Sequence, residues 1–134
     1  MRYEDWQTRF WMELDRAKIR RWQWGVHDCV SFAARMADVI SDRDYAALKS
    51  SIQWNTPKQV AELLKAKPLK ELIEGVLGPS MDWRFAKHGD LVIATDESSA
   101  EVLTVHDGSR LLCADKIGYC IVDIKYAACA WRVI

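Results

Sequence analysis

Trp22-Gln-Trp-Gly-Val-His-Asp-Cys-Val-Ser-Phe-Ala-Ala-Arg-Met-Ala-Asp-Val-Ile40 contains both a chain break and a helix start. Gly25 permits a sharp turn, and Asp28 has the short acceptor side chain that caps a helix. Cys29, Ala33, Met36 and Ile40 then recur at the spacing of one helical face. The stretch therefore predicts a helix over 29–40 with one buried side and Cys29 in its first turn. Free N–H groups and the dipole at a helix start favour thiolate over thiol, which makes Cys29 a candidate nucleophile. Cysteine is equally a small apolar residue suited to beginning a core helix, and both readings stand at this point.

Outward from this stretch, composition bounds the rest. The chain has 134 residues, enough for one domain with a real core, and its seven tryptophans call for burial. Lysine plus arginine equals aspartate plus glutamate at 19 each, so no net field draws the protein to nucleic acid or an anionic membrane. No apolar run reaches the ~20 residues of a membrane span, and the amino terminus lacks a signal pattern, so synthesis in a host cytoplasm is expected. The four cysteines at 29, 113, 120 and 129 have no paired spacing, read as free thiols, and suggest neither a zinc site nor a disulfide framework. No glycine loop for phosphate and no ligand cluster is present, so no cofactor and no metal is implied.

Before the central stretch, Tyr3, Trp6, Phe10, Leu14 and Ala17 form one stripe of an amphipathic helix over 3–20, with Glu13 among its polar positions and Trp11 off the stripe. After it, residues 44–51 have poor periodicity and read as loop. Thr56-Pro57 starts a short helix whose buried stripe is Val60, Leu63 and Leu64, ending before Pro68; residues 69–77 form another, stopped by Gly78-Pro79. Residues 91–95, 101–105, 110–114 and 119–124 are β-prone runs divided by turn chemistry at Asp96-Glu-Ser-Ser, Asp107-Gly108 and Lys116-Ile-Gly118, the pattern of antiparallel hairpins. Residues 127–129 are too rich in alanine to assign, and 131–134 read as a last strand. The outcome is a single α+β domain over 1–134, mainly helical over 1–80 and mainly β over 84–134, with helices packed on one face of a small antiparallel sheet.

With that outline, the order of parts resembles the NlpC-type branch of the papain-like cysteine peptidases. Asp28-Cys29-Val30-Ser31-Phe32 is similar to the segment that starts the nucleophile helix there, and Gly89-Asp90-Leu91-Val92 to the segment that starts the sheet. A closer likeness is to small phage-encoded relatives found with tail genes, which share the block Trp22-Gln-Trp24-Gly25-Val-His-Asp28-Cys29-Val-Ser-Phe32-Ala33-Ala34 and end as Ala130-Trp131-Arg132-Val133 does. The matches cover about a third of the chain and leave 41–88 unconstrained.

The resemblance implies a papain-like (NlpC-type) fold, and it implies a histidine on the strand after the first hairpin. Here Glu101 occupies that position, and the third polar position falls near Cys113. A carboxylate beside a thiol raises the thiol pKa, the opposite of what a nucleophile needs. His106 lies five positions on, so strand alternation puts it on the other face unless a bulge intervenes, next to a turn where exposure is ordinary. His27, two residues before Cys29, is the other candidate base. His88, before Gly-Asp, caps the strand start or faces water. Asp28 is explained by capping, Asp90 by bonding the backbone of the strand start, and Trp24 and Trp131 by core packing, although both could line a groove.

Three functions follow. The resemblance to phage relatives, with the histidine missing, implies a tail-associated structural or assembly protein with a degenerate hydrolase site, incorporated in the virion and partnered by other tail proteins. An active enzyme would instead cleave amide bonds in peptidoglycan stem peptides, with Cys29 attacking, His106 or His27 moving the proton and helix-start N–H groups holding the oxyanion. Exposed Trp11 and Trp54 would fit a third reading, an intracellular interaction domain.

Overall fold

The computed structural model describes residues 1–134 and gives helices α1 (Trp6–Ala17), α2 (Cys29–Ile40), α3 (Ala47–Ser51), α4 (Pro57–Ala66) and α5 (Leu69–Leu77). Strands β1 (Leu91–Thr95), β2 (Glu101–His106), β3 (Leu111–Ala114), β4 (Tyr119–Val122) and β5 (Ala127–Trp131) follow. Helices therefore precede strands, as the sequence indicates. All strands pair antiparallel in the order β4-β3-β2-β1-β5. No helix is long and apolar enough to cross a membrane.

α2 is the central helix, packed on α1, α3, β2 and β3. Its buried residues include Cys29, Val30, Ser31, Phe32, Ala33, Ala34, Met36, Ala37 and Ile40. The apolar spacing anticipated one buried side; nearly the whole circumference is covered, because α1 lies against one side and the sheet against another. The alanines at 33, 34 and 37 allow that close double packing. One continuous apolar core draws on Phe10 and Leu14 of α1, on α2, and on Leu91, Ile93, Leu103, Val105 and Leu112 of the sheet. Burial of each large side chain there contributes about 2 kcal/mol of transfer free energy. A smaller cluster of Val92, Ala94, Leu111 and Ala130 lies on the other face of the sheet, under Met81, Trp83 and Tyr126.

Several local readings differ from the structure. Residues 47–51 are a short helix rather than loop, held by fully buried Leu48, an anchor that one apolar residue in a poor pattern does not advertise. The last strand is Ala127–Trp131, not 131–134. Small residues suit this position, since β5 is paired with β1 on one side and bridged to Met81 on the other. β4 stops at Val122 because the Asp123 side chain accepts from the Lys125 N–H and starts a 3₁₀ turn. α1 begins at Trp6, leaving Tyr3 outside it, while Leu64 of α4 faces solvent. Trp54, expected to be exposed, is buried at 4% exposure with its ring 5.7 Å from that of Trp24; Trp11 is exposed as expected.

Glu13, assigned by sequence to a polar face, is buried at 3% exposure. It is the second position of the buried stripe 10, 13, 14, 17, and its charge is met by Arg20 at 2.6 Å and Arg16 at 3.3 Å.

Candidate functional site

The sharp turn before α2 depends on Gly25. Its φ of +80° lies in the left-handed region, and an added Cβ would come within 2.2 Å of the Asn55 Oδ1. The turn delivers Asp28, wholly buried, to the start of α2. One carboxylate oxygen accepts from the Ser31 N–H at 2.8 Å; the other accepts from the Gly25 N–H at 2.6 Å and the Ser31 hydroxyl at 3.1 Å. Capping thus accounts for Asp28, and the same side chain fixes the turn that precedes it.

Cys29 follows in the first turn, as the spacing predicted. Backbone N–H groups of Leu103, Val30 and Cys29 itself act to favour its thiolate, while burial and the Asp28 carboxylate act against it. Burial is the largest influence, and the thiol is pushed up to about 12. This corrects the expectation drawn from the dipole: a helix start contributes of order 1 kcal/mol, less than the desolvation of an anion in a sealed core. No histidine is among the leading influences on this thiol. Cys29 is also absent from the walls of five surface clefts of the molecule.

The candidate bases lie elsewhere. His27 is 1% exposed, its Nε2 donates to the Gly118 carbonyl at 2.7 Å, and its ring meets Phe32 edge-on at 5.9 Å. It ties the turn before α2 to the β3–β4 hairpin. His106 ends β2, which pairs with β1 in unbroken register from Leu91↔Val105 to Thr95↔Glu101. No bulge intervenes, so His106 shares its face with Thr104 and points opposite to Leu103 and Val105, the residues of β2 in the core with α2. It is buried rather than exposed, and its Nδ1 accepts from the Gly108 N–H at 3.0 Å. Burial lowers its pKa, against the opposing pull of Asp107 and Asp90.

Glu101 opens β2 opposite Thr95 and acts electrostatically on Cys129, together with Lys70 and Glu74. Cys113 is the residue of the implied third position that does come to Cys29: the two thiols lie within electrostatic reach of one another, and Cys120 within reach of Cys113. Of the sequence-derived set, then, the fold groups Cys29 with Cys113, while His27, His106 and Glu101 occupy three other environments.

Two further polar clusters lie around His88 and Asp90. His88 is half-buried, and one side of it lines an open surface cleft. Its ring lies 4.8, 4.5 and 5.4 Å from those of Trp6, Phe10 and Trp11, and its Nε2 is buried without a partner. Burial lowers its pKa. Asp90, fully buried, does bond the strand-start backbone, accepting from the Lys87 N–H at 2.9 Å. It also accepts from the Val133 N–H and Arg2, both at 3.0 Å, and pairs with Arg132 at 3.1 Å. No group of three or more histidine, cysteine or acidic side chains is positioned to hold a metal ion.

These features define an α+β protein with a helix-start cysteine enclosed between that helix and an antiparallel sheet. The chain belongs to the family described as Domain of unknown function (DUF6950), which matches residues 1–133. No curated protein sequence matches it.

Proposed function

We propose that this chain is a structural or assembly component of a phage tail, built on a papain-like (NlpC-type) scaffold whose cysteine no longer serves hydrolysis. The tail assignment rests on the likeness of residues 22–34 and 130–133 to small phage-encoded relatives of that branch. The loss of hydrolysis rests on one observation. Cys29 is buried at 6% exposure with its thiol pushed up to about 12, and the two candidate bases, His27 and His106, are committed to Gly118 and Gly108. A cysteine nucleophile needs both a thiolate fraction and a base within hydrogen-bond reach.

On this reading its partners are other tail proteins, and any contact with peptidoglycan is binding without cleavage. Two measurements test the proposal. Purified protein incubated with peptidoglycan stem peptides is expected to release no fragment, and release that Cys29→Ser abolishes would establish the active cysteine endopeptidase or amidase instead. Separately, the chain is expected to cosediment with tail particles from a lysate of its phage. Its presence only in the free protein fraction would remove the tail assignment, whatever the hydrolase result, in favour of an interaction domain outside the virion.

A further inference from the structure

Cys113 and Cys120 are direct partners across the β3–β4 ladder. The hairpin closes with the Asp115 N–H donating to the Gly118 carbonyl at 3.0 Å, so counting back two residues on each strand makes Cys113 and Cys120 a hydrogen-bonded pair. Cα atoms in such pairs are about 5.5 Å apart and both side chains leave the same face, which falls within the range that a disulfide spans. Cβ atoms in the ladder stand about 1 Å further apart than a disulfide requires, so one strand has to move inward. β4 is the strand able to do so, because it is the edge of the sheet and pairs with β3 alone. Cys113 is buried and Cys120 is half-buried, giving one sulfur a reagent can reach and one it cannot.

We propose that Cys113 and Cys120 form a thiol–disulfide exchange site, which reacts with a low-molecular-weight disulfide such as glutathione disulfide and closes as a cross-strand bond. The Cys120 thiolate attacks one sulfur of the reagent, the reagent S–S bond breaks, and one glutathione thiolate leaves and takes up a proton. Cys113 releases its proton to solvent and its sulfur attacks the Cys120 sulfur of the mixed disulfide, expelling the second glutathione. Two cysteine thiols are oxidised and one reagent disulfide is reduced to two thiols. Burial, the largest influence on both, holds the two cysteines above the ordinary thiol range, helped by Cys29, Cys120 and Asp115 at Cys113 and by Asp115 at Cys120. Exchange is therefore slow near neutrality and quickens with pH, since the thiolate is the attacking species. The bond would fasten the hairpin whose Gly118 holds His27 and whose Gly118 N–H meets the Arg20 carbonyl. The site does not depend on the tail assignment, and Cys113 has Cys29 within electrostatic reach as its other thiol neighbour.

The test uses the full-length protein incubated for extended times with glutathione disulfide at about pH 8.5, the pKa of an unperturbed thiol, and at a higher pH where exchange is expected to be faster, then alkylated under denaturing conditions and mapped by mass spectrometry. The expected product is a Cys113–Cys120 linkage with Cys29 and Cys129 still alkylated. Cys113→Ala is expected to stop at a stable glutathione adduct on Cys120, and Cys120→Ser to remain unlinked. Unfolding midpoints of both variants are measured alongside, so that a folding defect is seen for what it is. A wild-type protein that retains four alkylatable thiols, accumulates only the Cys120 adduct, or links Cys29 to Cys113 overturns the proposal, and this wild-type arm requires no variant to fold.

Discussion

If burial rather than the helix dipole governs Cys29, its thiol should be inert in the folded chain at neutral pH. A thiol at about 12 instead of its ordinary 9.0 carries about a thousandfold less thiolate at any pH below both values. With 6% of its surface exposed, the sulfur is also shielded from the reagent, so ionisation sets only the lower bound of the protection. The assay is timed alkylation with iodoacetamide at about pH 7, in the native state and in denaturing guanidinium, with peptide mapping of each cysteine. Cys29 should react at least about a thousandfold more slowly when folded, with half-buried Cys120 labelled well before it. A linked effect appears in stability. Because the folded value lies above the unfolded one, the contribution is fully present below about pH 9 and is lost as pH rises towards 12. At the upper end it amounts to about 4 kcal/mol at 1.36 kcal/mol per pH unit. Urea titrations of wild type and Cys29→Ala should therefore diverge across that alkaline window and run parallel below it. Labelling of native Cys29 at the rate of the denatured chain would refute the reasoning and, with it, the non-catalytic reading of the scaffold.

The histidines make the complementary acid prediction. Burial lowers the pKa of both His88 and His106, so their contribution is complete above the ordinary value of 6.5 and is lost as pH falls below it. Melting temperature should drop between about pH 7 and 5, and His88→Leu, which fills the aromatic box without a titrating nitrogen, should flatten that slope; an unchanged slope rules His88 out as a contributor. Asp90→Asn keeps the shape but leaves Arg2 and Arg132 without their shared counter-charge, which should cost about 3–5 kcal/mol by chemical denaturation. A cost under about 1 kcal/mol would place this pair among weak surface bridges. Asp28→Ala removes the cap and the tie to Gly25 together and should cost about 2 kcal/mol, more than a cap alone, as read from the same denaturation curves.

What the sequence made legible was whatever local chemistry decides. The Asp28 cap, the Thr56-Pro57 helix start, the Gly78 stop and the hairpin turns depend on residues a few positions apart, and each stands where the pattern puts it. What it hid depends on distant partners. Residues 127–129 have little strand preference of their own, yet Ala127 and Cys129 pair with Ala94 and Ile93 of β1. Glu13 looked like a surface carboxylate because its partner Arg20 lies beyond the end of the helix and its burial comes from the helix packed against it. The aromatic neighbours of His88, where sequence suggests a cap or a solvent-facing ring, come from α1, more than seventy positions away.

The same division runs through the candidate site. Its geometry was local, and so Cys29 does open a helix behind a capping aspartate. Its reactivity was not local, because ionisation follows how much water and what charge surround the sulfur, and those are set by β2 and β3. A motif can place a thiol at a positive helix start and still leave unstated whether the sheet opposite brings a base or a lid. In this chain β2 presents the apolar side chains of Leu103 and Val105 to α2 and turns His106 to the far face. Moving a histidine onto the near face is therefore the decisive experiment on whether the scaffold retains latent chemistry. Leu103→His, next to the N–H that meets the sulfur, would supply the missing base at the cost of core burial. The expected outcome is a destabilised protein, by about 2–5 kcal/mol, that still releases no stem peptide, since on the proposed reading enclosure of Cys29 prevents turnover even with a base beside it. Recovery of cleavage in that variant would mean that the histidine alone had been lost.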